Sequence, residues 1–438
     1  MRKRIAFISE HASPLAILGG IDAGGQNVYV AELAKYLSQL AYDIDIFTRW
    51  EDASLPQMVF WSEGVRIIHI TAGPIKYIQK EDLLQYMPEF RQNMLRFIEQ
   101  ENINYQLIHA NFFMSALVAM ELKEILDIPY VITYHALGKV RRIHQPEQDK
   151  FPIERLAIEQ ETSAKADKII AECPQDREDL CNLYQVDHAK ITIVPCGFCQ
   201  SEFYPINQSF ARTHLGLDPN EKIILQLGRM VPRKGVDNVI RALKFLQPAK
   251  QNIRLLIVGG ETEIPDPVNC PEIGRLTSIA REEGVSSSVT FVGRRDRRLL
   301  KYYYSAADIF VTTPWYEPFG ITPLEAMACG IPVIGADVGG IKYSVKNGET
   351  GYLVPPKDPR ALANKIDRLL SNPSVIKKMQ LNAIRRVHRI FTWARVAQMI
   401  AEVYENVLDA VDSKKIETAQ KAQVVLMRAE PKQWKKIE

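Results

Sequence analysis

Short apolar runs recur along this chain, separated by stretches with helical periodicity, and that alternation leaves few folds open. A continuous apolar run is what a strand buried on both faces requires, and parallel strands joined by helices bury both faces. Runs at residues 5–9, 44–48, 65–70, 107–110, 130–135, 168–171 and 191–194 predict one set of strands. A second set follows at 223–227, 255–258, 289–292, 309–312 and 333–334. Between them, residues 201–220 carry Pro205 and Pro219 with no strand pattern, so they read as a connector. With roughly 100 to 200 residues per domain, the 438-residue chain is expected to hold two domains. The predicted class is α/β, two doubly wound Rossmann-like domains, at 1–200 and 201–391, then a helix over 392–412 and a loose tail over 413–438.

The composition, 46% hydrophobic with 55 basic and 52 acidic residues, gives a net charge of +3, so no bulk attraction to nucleic acid is expected. Met1-Arg2-Lys3-Arg4 and the apolar residues after it stop at Glu10 and His11, too soon for a signal peptide, and no run is long enough to span a membrane. Six irregularly spaced cysteines fit a reducing, cytoplasmic setting; Cys196 and Cys199 have zinc or redox spacing but lack a second ligand pair.

Three loops concentrate the chemistry. Residues 308–313 lead through Pro314-Trp315-Tyr316-Glu317-Pro318-Phe319-Gly320 into a helix over 320–329. There the amides of Phe319, Gly320, Ile321 and Thr322 lack helical partners and are free for a ligand's oxygens, beside Glu317 and Glu325. A carboxylate accepts two vicinal hydroxyls at once, which sugars offer. The second loop is Gly228-Arg229-Met230-Val231-Pro232-Arg233-Lys234-Gly235, whose Arg229 and Lys234 suit a diphosphate. The third is the glycine-rich loop 19–26, with Gly24 and Gly25 before a helix, which lets backbone approach an anion. His135 ends a predicted strand, where α/β sheets bind ligands. Arg294-Arg295-Asp296-Arg297-Arg298 reads as a solvated helix start, with Arg294 able to border a base.

In order and placement, the glycine pair, Gly-Arg with Lys-Gly, and Glu317 spaced from Glu325 resemble family 4 of the retaining glycosyltransferases, over nearly all of residues 1–410. The resemblance implies the GT-B fold, a nucleotide sugar held mostly by the C-terminal domain, an acceptor held mostly by the N-terminal one, and a last helix crossing back from about Thr392. It also implies roles. Arg229 and Lys234 would hold the diphosphate, Glu325 the ribose, Glu317 with the amides of Phe319 and Gly320 the transferred sugar. Gly25 would approach the phosphate and His135 the sugar's 6-hydroxyl. The donor would be a UDP-sugar, UDP-glucose or UDP-N-acetylglucosamine, with no further cofactor and no metal, the leaving phosphate taking the acceptor's proton.

Within the family, GGQNVYVAELAKYL resembles the sucrose-phosphate synthases and the inositol-phosphate N-acetylglucosaminyltransferases of mycothiol synthesis. The second branch's phosphate-binding lysine and arginine would fall on Lys80 and Arg155. Phe112 and Ala136 stand where its hydroxyl-bearing tyrosine and threonine would be, and His135 to Lys139 is nearer the sucrose-forming branch. A sugar or polyol phosphate is therefore the expected acceptor; a growing glycan or lipid-linked acceptor, an epimerase and a sensor without turnover are the alternatives.

Overall fold

A computed structural model describes residues 2–16, 24–246 and 252–429. Residues 19–23 of the glycine-rich loop and the tail from 430 lie outside them.

The first sheet contains β1 (Lys3–Ile8), β2 (Tyr42–Arg49), β3 (Met58–Ser62), β4 (Val65–Ile70), β5 (Leu107–Asn111), β6 (Tyr130–Thr133), β7 (Lys168–Ala171) and β8 (Ile191–Ile193). Their order is β3-β4-β2-β1-β5-β6-β7-β8, parallel except for the β3–β4 pair. The second contains β9 (Lys222–Leu227), β10 (Ile253–Val258), β11 (Val289–Gly293), β12 (Ile309–Thr312), β13 (Val333–Ala336) and β14 (Gly351–Val354). It is parallel throughout, in the order β11-β10-β9-β12-β13-β14. In both, the order reverses beside the first strand of the domain, which opens a crevice at the strands' carboxyl ends. Central strands such as Ile5–Ile8 and Ile309–Thr312 are fully buried, as their unbroken apolar runs require.

Several details depart from the sequence reading. The strands β3 and β14 were not anticipated: β3 is an antiparallel edge strand, and β14 is short and begins at Gly351. The connector holds a helix, Gln208–Leu215, capped by the Asn207 side chain and tied into the second domain where Arg212 meets Asp308 at 2.9 Å. β6 stops at Thr133, so His135 lies beyond its end, with φ +59°. The segment expected as a loose tail from 413 continues the last helix, Trp393–Ala429. Its Lys, Glu, Ala and Gln are strong helix formers, and no Gly or Pro interrupts them before Pro431.

That last helix returns to the first domain. Glu405 accepts the Tyr42 hydroxyl at 2.5 Å and pairs with Lys3; the Tyr404 hydroxyl lies 2.6 Å from His109 Nδ1. The crossover packs against Gly197, where a Cβ would lie 2.6 Å from the Trp393 ring, so no larger residue fits.

Candidate active site

Between the domains lies a cleft of about 770 Å³, of a size for a ligand larger than a simple sugar. Its walls include His135, Arg229, Lys234, Glu317, Gly24, Gly25, Arg294, Phe319, Gly320, Ile321, Thr322, Glu325, Lys80 and Arg155, every residue the sequence singled out for a site.

On the C-terminal wall, β9 runs into Arg229 and the single turn Pro232–Lys234. Gly235 closes the turn at φ +64°, and a Cβ there would lie 2.0 Å from the Thr313 carbonyl oxygen; this glycine lets the cationic loop dock on the end of β12. Lys234 Nζ pairs with Glu317, and Arg233 Nη1 lies 3.4 Å from the same carboxylate and donates to the Tyr316 carbonyl at 3.1 Å. Burial works against ionisation of Glu317, but Lys234 and then Arg233 outweigh it and hold the carboxyl below its usual pKa. Burial also pulls the Lys234 ammonium down. The lysine expected at a diphosphate and the glutamate expected at a sugar are thus each other's partners, and Arg233, missing from the expected site, completes the group.

Glu325 is 3% exposed. Its Oε2 accepts the Tyr304 hydroxyl at 2.9 Å, and its Oε1 lies 3.2 Å from Arg297 Nη1. Burial pushes its pKa up, with Arg297 opposing. The arginine run is therefore not simply a solvated helix start. Arg298 is exposed as expected, but Arg297 turns inward to Glu325 and to Glu202, 2.6 Å from its Nε. The Arg294 amide donates to the Thr262 carbonyl at 2.8 Å.

From the other domain, the helix α1 (Gly25–Ser38) points its first turn at this wall. A Cβ on Gly24 would lie 3.9 Å from Arg229 Cδ, and one on Gly25 3.8 Å from Ile321 Cδ1. Below it, His135 Nε2 lies 3.0 Å from Asn111 Oδ1, and Nδ1 3.1 Å from Glu172 Oε1. Glu172 also accepts the Cys196 thiol at 3.0 Å. Burial, then Glu172, raises the thiol's pKa, which leaves it a poor nucleophile. Among the described residues no three His, Cys, Asp or Glu side chains are placed to hold a metal ion. Asn111 and Glu172 were missed, although both stand at carboxyl ends of strands, the rule that flagged His135.

Lys80 sits on a short turn with Glu81 3.5 Å away. Arg155 is 1% exposed, its guanidinium 4.9 Å from the Phe112 and Phe113 rings and 4.6 Å from Phe151. Its Nε meets Glu159 at 2.7 Å and its Nη2 the Ala136 carbonyl at 2.6 Å; Nη1 is buried without a partner. Arg141, paired with Asp149 at 2.9 Å, is a further cation on this wall that the sequence reading missed.

The family model described as glycosyltransferase family 4 matches residues 23–199, and that described as glycosyl transferases group 1 matches 207–386. D-inositol 3-phosphate glycosyltransferase 2 of Catenulispora acidiphila is 34% identical over 413 residues, 93% of this chain and 96% of that protein. Among solved structures, sucrose-phosphate synthase from Thermosynechococcus elongatus is 35% identical with a TM-score of 0.85, covering 93% of this chain and all of that one (100%). Anabaena HepE, solved with UDP and glucose, shares the fold at 21% identity and a TM-score of 0.73, covering 92% of this chain and 100% of its own.

Proposed function

Because this chain belongs to the family 4, group 1 glycosyltransferases, and so moves sugar from a nucleotide sugar, we propose that it is a retaining hexosyltransferase using a UDP-sugar and a sugar or polyol phosphate. What supports the reading is one arrangement: Arg229, Lys234 and the first turn of α1 converge on one stretch of the cleft, with Glu317 beside them.

Breaking the anomeric bond places negative charge on the leaving diphosphate. Fixed cations at that point stabilise the transition state more than the bound ground state, because the charge is still developing there. Lys234 would divide its donors between Glu317 and the diphosphate; an ammonium has three. Glu317, held ionised, would accept sugar hydroxyls while the amides of Phe319 and Gly320 donate to sugar oxygens, and His135, fixed by Asn111 and Glu172, faces the sugar from the other domain. The leaving phosphate oxygen takes the acceptor hydroxyl's proton, and attack from the same face retains configuration.

The phosphate end rests on Lys80 and Arg155. Both are on the cleft, and the unmatched Nη1 of Arg155 is a donor with nothing to bond among its neighbours. The test is an acceptor panel of fructose 6-phosphate, inositol 3-phosphate and their unphosphorylated forms, offered with UDP-glucose and UDP-N-acetylglucosamine. A phosphorylated acceptor used far better than its free form is expected; equal use of both contradicts the phosphate reading and favours a neutral sugar or growing glycan.

A further inference from the structure

Arg297 lines the cleft beside Glu325, the carboxylate expected at the donor ribose, in a setting that simple helix solvation does not account for. Its guanidinium lies 4.9 Å from the Phe203 ring. Nε donates to Glu202 Oε2 at 2.6 Å, Nη1 lies 3.2 Å from Glu325 Oε1, and Nη2 is buried without a hydrogen-bond partner. A third carboxylate, Glu32 on α1, approaches from the other domain. Its Oε2 is likewise buried and unpartnered, and Arg297 is among the charges acting on it.

Glu325 itself is gripped at both oxygens, Oε1 by Arg297 and Oε2 by Tyr304, which leaves one lone pair on each for a ligand. Two vicinal hydroxyls need both of those acceptors, in one plane and ionised. We infer that Arg297 is the positioning residue for Glu325: it fixes the carboxylate's orientation and supplies the positive charge that lets it receive the ribose hydroxyl pair. The inference rests on the reading that Glu325 takes the ribose. Burial already favours the protonated form of Glu325. Without the guanidinium nothing on that side opposes the shift toward the protonated form, whose O–H is a donor where the ribose needs an acceptor.

A role confined to packing would weaken all nucleotides alike, so the discriminating readout is a ratio. Binding of UDP and of 2′-deoxyuridine diphosphate is measured by calorimetry on the full chain for the wild type, Glu325→Gln, Arg297→Met and Arg297→Lys. The wild type is expected to prefer UDP by about tenfold or more, the usual weight of a hydrogen bond to a charged group. Glu325→Gln should bring the ratio near one, Arg297→Met to within about threefold of one, and Arg297→Lys to an intermediate value. A wild-type ratio near one overturns the ribose reading of Glu325 and this inference with it. A ratio lost in Glu325→Gln but kept in Arg297→Met overturns the inference alone, however much both nucleotides weaken. Should Arg297→Met fail to fold, Arg297→Lys carries the test, and an unchanged ratio in it is the overturning result.

Discussion

On the C-terminal wall of the cleft, Lys234 and Arg233 share the buried carboxylate of Glu317, all within two short loops. On the N-terminal wall, Arg155 sits among Phe112, Phe113 and Phe151 with Glu159 as its ion-pair partner, and Lys80 comes from a distant turn. Both walls are cationic, but the first is a set of charges aimed together, whereas the second contains one cation that also holds its own domain in place. A ligand's charge would be met on the first by groups already grouped for it. On the second it would meet the one unmatched nitrogen, Nη1, of an arginine whose Nε and Nη2 are engaged within its own domain.

The largest effect expected from this difference is on stability. Arg155→Ala strands Glu159 without its cation in a buried site and should cost about 3 to 5 kcal/mol in urea unfolding. Arg229→Ala, on the loop after β9, should cost less than about 1 kcal/mol. Equal losses would erase the distinction between the walls.

Catalysis should show the reverse. Arg229→Ala is expected to lower kcat on the order of a hundredfold, with no rescue by magnesium, because the proposed role sets it against charge that develops in the transition state. Steady-state rates at saturating donor measure this; an unchanged kcat would remove Arg229 from the chemistry.

Next comes Glu325→Ala, which should weaken UDP binding by about 1.5 to 3 kcal/mol in calorimetry. An unchanged affinity in a folded variant contradicts its assignment. The smallest effect is expected from Lys80→Ala. The Michaelis constant for a phosphorylated acceptor should rise by about tenfold while UDP affinity stays put. If the two move together, Lys80 belongs to the donor half or to neither.

The contrast also explains what could be read before folding. The C-terminal wall comes from contiguous stretches, 228–235 and 314–325, whose loop and helix start are local consequences of glycine, proline and a preceding strand. Arg297 was misread because its neighbours Arg295 and Arg298 give the same local pattern. Only the fold brings Glu202 and Glu325 to one of them. Arg155 could be placed at the cleft by resemblance, but nothing in its own segment announces the rings of Phe112, Phe113 and Phe151. The strand β3 was missed although Met58-Val59-Phe60-Trp61 is itself a short apolar run; it is an antiparallel edge strand rather than a buried parallel one, and Phe60 in it is 77% exposed. The long final helix was underestimated because charge content was taken for looseness, while helix propensity favoured continuation.

In the proposed reaction, fixed side-chain cations rather than a divalent ion carry sugar transfer from a nucleotide donor with retention. The most direct measurement is proton NMR of the reaction with an α-linked UDP-sugar and a phosphorylated acceptor, in excess chelator. Stoichiometric UDP and an α-linked glycoside are expected; a β-linked product, a new nucleotide sugar without transfer, or activity abolished by the chelator and restored by magnesium would contradict metal-free retaining transfer.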